Sequence, residues 1–396
     1  MSLRATTFFW GDSSMDVLHH CCAGLDVHKR TVVACVRRFD PAGKVSKLIK
    51  TFATMTTDLL ALSDWLAVQG VKVVAMESTG SYWKPVFNLL ESRFEVVLVN
   101  AHHIKQVPGR KTDVKDSEWI AQLLQHGLLR ASFIPPRPTR ELRDLTRQRT
   151  QLIRERTSVI NRIQKILEDA NIKLSSVASN ALGVSGRSMI EAIIQGQFDP
   201  VKLADLARRR RRKKIPHLQQ ALHGSVTEHH RFLLRTQMNH LEHLEGLIQQ
   251  YSQRIEEALD PFSETLVRLV TIPGVDFRVA EVVVAEIGLD MNRFPTAGHL
   301  SSWAGLASGN HESAGKRQSG RTTPGNVWLK SALVQAAWAA FRAKGTHLSK
   351  KFRRIAGNRG KKRAAFAVAH TMLVIIYHLL KENTTYQEIA GESEAA

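Results

Sequence analysis

Between residues 22 and 135 the chain alternates short apolar strands with helically spaced apolar runs, an order that admits few folds other than an α/β domain on a central sheet. "CAGLDVHK" and "TVVACVRR" read as strands, "KVSKLIKTFA" as a weaker third, and "VKVVAMES" and "EVVLVN" as two more. "TTDLLALSDWLAVQG" (56–70) and "SYWKPVFNLLES" carry the helical spacing, the first ending at Gly70 as a C-cap. A further helix opens near Asp113. The three prolines of "FIPPRPTR" (133–140) close the domain.

The pattern then changes. Leu142, Leu145, Leu152, Val159, Ile163 and Ile166 fall on a heptad seam that Arg149 and Arg156 interrupt. The seam returns at Leu234, Leu241, Ile248 and Ile255, with Leu244 and Tyr251 on the alternate positions. Two long coiled-coil helices are expected, paired with each other or across subunits. Between them lies a basic run, Arg208, Arg209, Arg210, Arg211, Arg212, Lys213 and Lys214. It reads as a solvated loop or helix face, or as a contact to a phosphate backbone. "LVRLVTIPGVDFRVAEVVVAEIG" (266–288) predicts helix, tight turn at Pro273-Gly274, and helix. That is the shape of a helix-hairpin-helix, whose turn offers N–H groups to a phosphate. The expected class is α/β plus all-α. A lead-in at 1–20, read as unstructured, precedes an α/β domain at 21–135. A coiled-coil and basic insertion at 136–261, a helical domain at 262–385 and a tail at 386–396 follow.

Fifty-six Lys and Arg against 36 Asp and Glu give a net charge of +20 at pH 7, which points to a polyanionic partner. Nucleic acid fits better than a membrane. The apolar stretch "FAVAHTMLVIIYHLL" (366–380) is shorter than the roughly 18 residues of a spanning segment and reads as a buried helix. The N-terminus lacks the apolar core of a secretory signal. Cys21, Cys22 and Cys35 make no disulfide framework and lack zinc spacing, so a reducing cytoplasm is expected.

Four acids stand out. Asp26 lies within an apolar strand, where a charge is costly unless it is paired or binds a metal, and Glu77 ends another. Asp113 and Asp116 are i and i+3 on a helix and share a face. Alone, that pair reads as compensation of the helix dipole. Together, the four can converge at one sheet edge, where clustered carboxylates repel unless a cation neutralises them. Oxygen-only clusters suit Mg²⁺ or Mn²⁺, which can clamp a scissile phosphate. The strand and helix order resembles that of the RNase H-like and RuvC-like nucleases.

"GLDVHK", "ESTGSYW", "GRKTDVKDSEWIAQLLQHGLL" and "SFIP", in this order, resemble the successive motifs of the DEDD transposases of the IS110 insertion-sequence family. "GLASGNHESAGKRQSGRTTPGNVWL" (305–329) is similar to that family's C-terminal motif, so the resemblance runs from about residue 23 to 380. It implies a metal-binding quartet of Asp26, Glu77, Asp113 and Asp116 in a RuvC-like domain. It also implies donor and target double-stranded DNA, a guide non-coding bridge RNA, and a dimer or tetramer as partners.

"NHESAGKRQSGR" (310–321) holds two serines and the cations Lys316, Arg317 and Arg321. From the residues alone it reads equally as a surface loop, as a phosphate cradle, or as the seat of a nucleophilic serine. The family resemblance implies that Ser313 attacks DNA and forms a phosphoserine, with Ser319 as the second candidate. The chain departs from the family pattern at Ser308 and Pro324, and Pro324 removes a backbone donor. The implied function is a site-specific DNA recombinase that moves an insertion sequence. A metal-dependent nuclease of the Holliday-junction-resolvase kind and a non-enzymatic nucleic-acid-binding protein are the alternatives.

Overall fold

A computed structural model describes residues 17–40, 43–78, 80–100, 116–177, 180–307, 311–313, 316–319 and 322–387. The chain divides into two compact units, Met1–Ile134 and Pro135–Ala396. Within the lead-in expected at 1–20, residues 1–16 lie outside the described residues, as do residues 388–396 of the tail.

The first unit is built on five strands: β1 (Cys21–Val27), β2 (Thr31–Phe39), β3 (Val45–Ala53), β4 (Val73–Glu77) and β5 (Glu95–Val99). Their spatial order is β3-β2-β1-β4-β5. β2 runs antiparallel to both β1 and β3, while β1, β4 and β5 run parallel. Alternation along the strands divides the core into two layers. Ala23, Leu25 and Val27 of β1, with Val74 and Met76 of β4, pack beneath helices α1 (Thr56–Val68) and α2 (Trp83–Leu90). The alternate residues Cys22, Val73, Ala75 and Val99 face α3 (Asp116–Gln125), which contributes Trp119, Ile120, Leu123 and Leu124. Burial pushes the Cys22 thiol up to about 12 and the Cys35 thiol up to about 11, so both cysteines are packing residues.

The close approach of α3 to β1 depends on Gly24. A Cβ there would lie 2.3 Å from the Ala121 nitrogen and 2.3 Å from the Ser117 oxygen, both backbone atoms. Neither can move without lifting the helix off the sheet.

The second unit opens with α4 (Arg137–Asp169). The short helices α5 (Leu174–Val177), α6 (Val184–Ile194), α7 (Pro200–Asp205) and α8 (Ile215–Ala221) follow, and then α9 (Glu228–Leu259). The two long helices pair with each other. They run antiparallel, since Asp169 at the end of α4 meets His230 at the start of α9, at 2.9 Å, and Arg156 meets Glu245. Leu152, Val159 and Ile163 share one core with Leu234, Leu241 and Leu244 and with the helices inserted between, notably Met189, Ile190, Leu203 and Leu218. Glu245 ties that insertion down through Arg156 and Arg187. Burial works against its charge, but the two guanidinium hydrogen bonds outweigh it and hold its carboxyl below the ordinary range.

The first turns of α4 take a different partner. Arg149, expected to interrupt the seam, is 3% exposed and pairs with Glu281, while Leu145 is only half-buried. Glu281 belongs to α11 (Phe277–Ile287), which follows α10 (Ser263–Val270). The seam therefore serves two neighbours in succession. The turn between α10 and α11 has the expected helix-turn-helix shape, but its N–H groups at Thr271, Ile272 and Val275 already donate to Arg268, Leu269 and Ile272. Gly274, at φ +91°, presses on α13 (Val327–Arg342), where a Cβ would come 2.4 Å from the Ala336 oxygen. The turn is therefore also a packing joint against α13.

The remaining elements are α12 (Ala297–Trp303), strands β6 (His311–Ser313) and β7 (Lys316–Ser319), α14 (His347–Arg359) and α15 (Lys361–Glu382). The apolar stretch read at 366–380 is part of this last helix, whose 22 residues make it long and apolar enough to cross a membrane by length and composition. The helix extends beyond that stretch by Lys361–Ala365 at one end and Lys381–Glu382 at the other. It packs on α13 and α14 through Val368, Met372, Leu373 and Ile376, each fully buried, so it forms the core of this region.

Gly24→Ala is expected to destabilise the first unit by about 3 kcal/mol, the upper end of overpacking costs, because backbone rather than a side-chain tip must yield. Urea unfolding measures it.

Candidate functional site

Three of the four acids are described, and strand parity fixes their side. Leu25 and Met76 pair in register on the parallel strands β1 and β4, so Asp26 and Glu77 follow next to each other at the ends of those strands. Asp26 alternates with Cys22 and Gly24, and Glu77 with Val73 and Ala75. Both acids therefore belong to the face covered by α3.

Helix α3 runs antiparallel to β1. Leu18 and His19, just before β1, donate to the Gln125 carbonyl at its C-terminus, and Gly24 abuts Ser117 near its N-terminus. Asp116, its first residue, thus stands at the same strand ends as Asp26 and Glu77. Asp113 lies outside the described residues.

Sequence reasoning passed over His28, whose Nε2 is 3.0 Å from Asp26 Oδ2. Its signal is its position two residues along the same strand end, on the same side as Asp26. The donors fit a hard divalent cation, being carboxylates from three separate elements. Among the described residues no three such side chains are arranged to enclose an ion. The N-terminus of α3 adds a positive dipole end that offsets part of the carboxylate repulsion.

In the second unit the serine segment has a closed neck. A Cβ on Gly325 would lie 2.2 Å from the Gly305 nitrogen, and both glycines adopt positive φ, +52° and +71°. The segment from Leu306 to Pro324 therefore leaves and returns at one point. Within it β6 and β7 form an antiparallel ribbon. Ser313 pairs in register with Lys316, with only Ala314 and Gly315 between, whereas Ser319 pairs with His311 at the opposite end. Arg317 lies on β7 opposite Glu312. Ser308 and Arg321 lie outside the described residues. The Pro324 carbonyl accepts a hydrogen bond from Lys330 Nζ at 2.7 Å, so this departure from the family pattern is part of the neck.

Beyond the neck the chain is clamped. Asn326 caps α13 through Oδ1, which accepts from the Trp328 and Leu329 N–H groups, and its Nδ2 donates to Glu286 Oε2 at 2.7 Å. Glu286 has no solvent exposure. Arg147 grips it with two 2.7 Å hydrogen bonds, and Arg143 lies 3.2 Å away. Burial lowers the Arg143 guanidinium from its ordinary value, and the adjoining Glu286 opposes that. One acid thus joins α4, α11 and the foot of the serine segment. Glu286 was legible by the reasoning applied to Asp26, as an acid within the apolar run "VVVAEIG".

The basic run divides. Arg209–Lys214 form a 3-10 helix in which Arg212 pairs with Asp205, Arg211 donates to the Asn180 carbonyl and Lys214 to the Val177 carbonyl. These three cations hold the insertion together. Arg208, Arg209, Arg210 and Lys213 are exposed, with no ion pair among the described residues.

Residues 23–172 match a DEDD-type IS110 transposase family model, and residues 267–353 match the IS116/IS110/IS902 transposase family, together more than half of the chain. The transposase for insertion sequence element IS1111A of Coxiella burnetii is 25% identical over 373 residues, covering 92% of this chain and 90% of its own. The insertion element IS110 43.6 kDa protein of Streptomyces coelicolor is 27% identical, over 71% of this chain and 73% of its own.

Glu286→Gln is expected to cost about 3–5 kcal/mol in urea unfolding, since it leaves two guanidinium groups without a buried counter-charge. Asn326→Ala is expected to cost about 2–4 kcal/mol, about 1 from the helix cap and the rest from the hydrogen bond to the buried Glu286 carboxylate, while lowering recombination far more than that loss of stability explains. Parallel stability and recombination assays on the two variants check the contrast.

Proposed function

The chain is a DNA transposase of the IS110 insertion-sequence family, and we propose that it cuts and rejoins DNA through a covalent phosphoserine at Ser313. The observation that carries this reading is the anchored ribbon. Ser313 stands beside Lys316 at its short end, on a segment whose neck and foot are locked by Gly305, Gly325 and Asn326. A fixed base under a nucleophile reduces the freedom lost on reaching the transition state.

In the proposed reaction Ser313 Oγ attacks the scissile phosphorus, a P–O(Ser) bond forms, and the bond to the neighbouring 3′ oxygen breaks. The serine hydroxyl gives up its proton as it attacks, and the departing oxygen takes up one in exchange and leaves as a free 3′-hydroxyl. A 3′-hydroxyl from the partner strand then attacks the phosphoserine and returns the serine. Phosphoester is exchanged for phosphoester, so no high-energy cofactor is consumed. Lys316, Arg317 and Arg321 would hold the phosphate oxygens.

Asp26, Glu77, Asp113 and Asp116 would hold Mg²⁺, or Mn²⁺ in its place; the ion would neutralise charge on the phosphoryl oxygens. The sheet order β3-β2-β1-β4-β5, with the acids at the ends of β1 and β4, supports a RuvC-like reading of the first unit. The heptad seams of α4 and α9 pair with each other, so joining the subunits of a dimer or tetramer would fall to other faces of these helices. Arg208, Arg209, Arg210 and Lys213 would touch phosphates of DNA or of a guiding bridge RNA.

Incubation with Mg²⁺ and a cleavable insertion-end duplex is expected to yield a covalent protein–DNA adduct that Ser313→Ala abolishes and Ser319→Ala retains. Strand exchange by Ser313→Ala should fall on the order of 10⁴-fold or more. Cleavage by that variant at the wild-type rate would identify a hydrolytic, resolvase-like nuclease instead. Asp113→Asn is expected to abolish the adduct while leaving nucleic-acid affinity nearly unchanged in filter binding. A retained reaction rate would sink the metal assignment.

A further inference from the structure

Between residues 342 and 363 the sequence carries ten Lys and Arg and no Asp or Glu. This short segment supplies a charge equal to half of the chain's +20. It comprises the end of α13, all of α14 and the first residues of α15. Elsewhere the structure spends carboxylates on its cations, as at Arg147, Arg149, Arg156 and Arg187. Here, among the described residues, none of the ten forms an ion pair, and all but the half-buried Lys351 are exposed. Unrelieved repulsion of this kind disfavours the compact state unless a polyanion relieves it.

The face is specific. Leu348, Ser349 and Phe352 bury one side of α14. By helical spacing the side opposite carries Lys350, Arg354, Gly357 and Asn358, flanked by Lys351 and Arg353. Gly357 has no role in the fold, because a Cβ there would meet nothing within 4 Å. A glycine inside a helix costs about 1 kcal/mol relative to alanine. What a missing side chain permits at that point is close approach of another molecule's backbone. Beneath the patch, burial first and then the charge of Lys351 lower the His370 imidazole below its ordinary value.

We propose that the outward face of α14, with the cationic start of α15, docks the sugar–phosphate backbone of B-form duplex DNA, with Gly357 as the point of closest approach. The 13 residues of α14 make a rigid rod, about 20 Å long at 1.5 Å per residue. A B-form major groove, about 12 Å wide, admits such a helix, whereas the deep, narrow major groove of A-form RNA does not. This surface is separate in sequence from the 316–321 cations and from the 208–214 run. Its contacts are to phosphate, so it holds DNA without reading its sequence.

The test uses the full chain and an uncleaved duplex without divalent metal, so it stands apart from the serine chemistry. Affinity is measured against salt concentration for the wild type and for Lys350→Gln/Arg353→Gln/Arg354→Gln. Each lost phosphate contact lowers the slope of log K against log salt by about 0.9, so the triple variant should lose roughly 2.7 and bind at least about tenfold more weakly near 0.1 M salt. Arg353→Lys/Arg354→Lys should keep the wild-type slope. Gly357→Leu should melt at the same temperature as the wild type or higher and yet bind the duplex more weakly, two changes that a structural role alone would not produce together. A wild-type slope in the triple variant overturns the proposal. So does a slope change confined to a structured RNA hairpin, which would assign the surface to RNA. Normal duplex binding by Gly357→Leu overturns the close approach.

Discussion

The second unit is organised around a carboxylate that water never reaches. Glu286 is held by Arg147, Arg143 and the Asn326 amide, and these partners come from the first turns of α4 and the cap of α13. A buried charge is tolerated only with full compensation. The requirement therefore fixes three pieces of chain against one another to within hydrogen-bonding tolerance. Apolar packing alone, being non-directional, would let α13 slide or rotate along its neighbours. The clamp sits one residue past the neck of the serine segment, so the foot of that segment is fixed by an ionic contact rather than by apolar packing alone.

The first unit achieves alignment by other means. Its acids are placed by parity. Once β1 and β4 pair with Leu25 opposite Met76, the side occupied by Asp26 and Glu77 is settled by the pleat. Gly24 then lets α3 lie close enough for Asp116 to arrive at the same edge. A one-residue slip in either strand would send its acid to the opposite, apolar layer. Register is enforced by that layer, where Leu25, Met76 and Val74 are fully buried.

Much of this was legible in the residues. The strands and helices of the first unit follow from alternation and helical spacing, and the acids were marked by the cost of charge among apolar neighbours. The heptad seam correctly announced two long helices, but periodicity cannot name the surface it faces. Arg149 looked like a defect in the seam because its partner, Glu281, is 132 residues away. The Pro273-Gly274 turn has a local shape that fits a phosphate seat, and its close packing on α13 through Gly274 could not be read from that shape. Likewise the run at 208–214 reads as uniform charge, yet three of its cations hold the insertion together. Apart from Arg212 and its near neighbour Asp205, the missing information is a partner distant in sequence, and composition does not encode distance.

The contact of Gly305 with Gly325 has an evolutionary consequence. A segment that leaves and returns at one point carries no span between α12 and α13, so its length is not a structural parameter of the domain. Closing a longer loop costs only slowly more entropy. Residues can be gained, lost or exchanged between the two glycines while the helices beneath keep their packing. The neck thus separates the clamp at Asn326, on which the helix packing depends, from a segment whose length and composition the packing does not constrain.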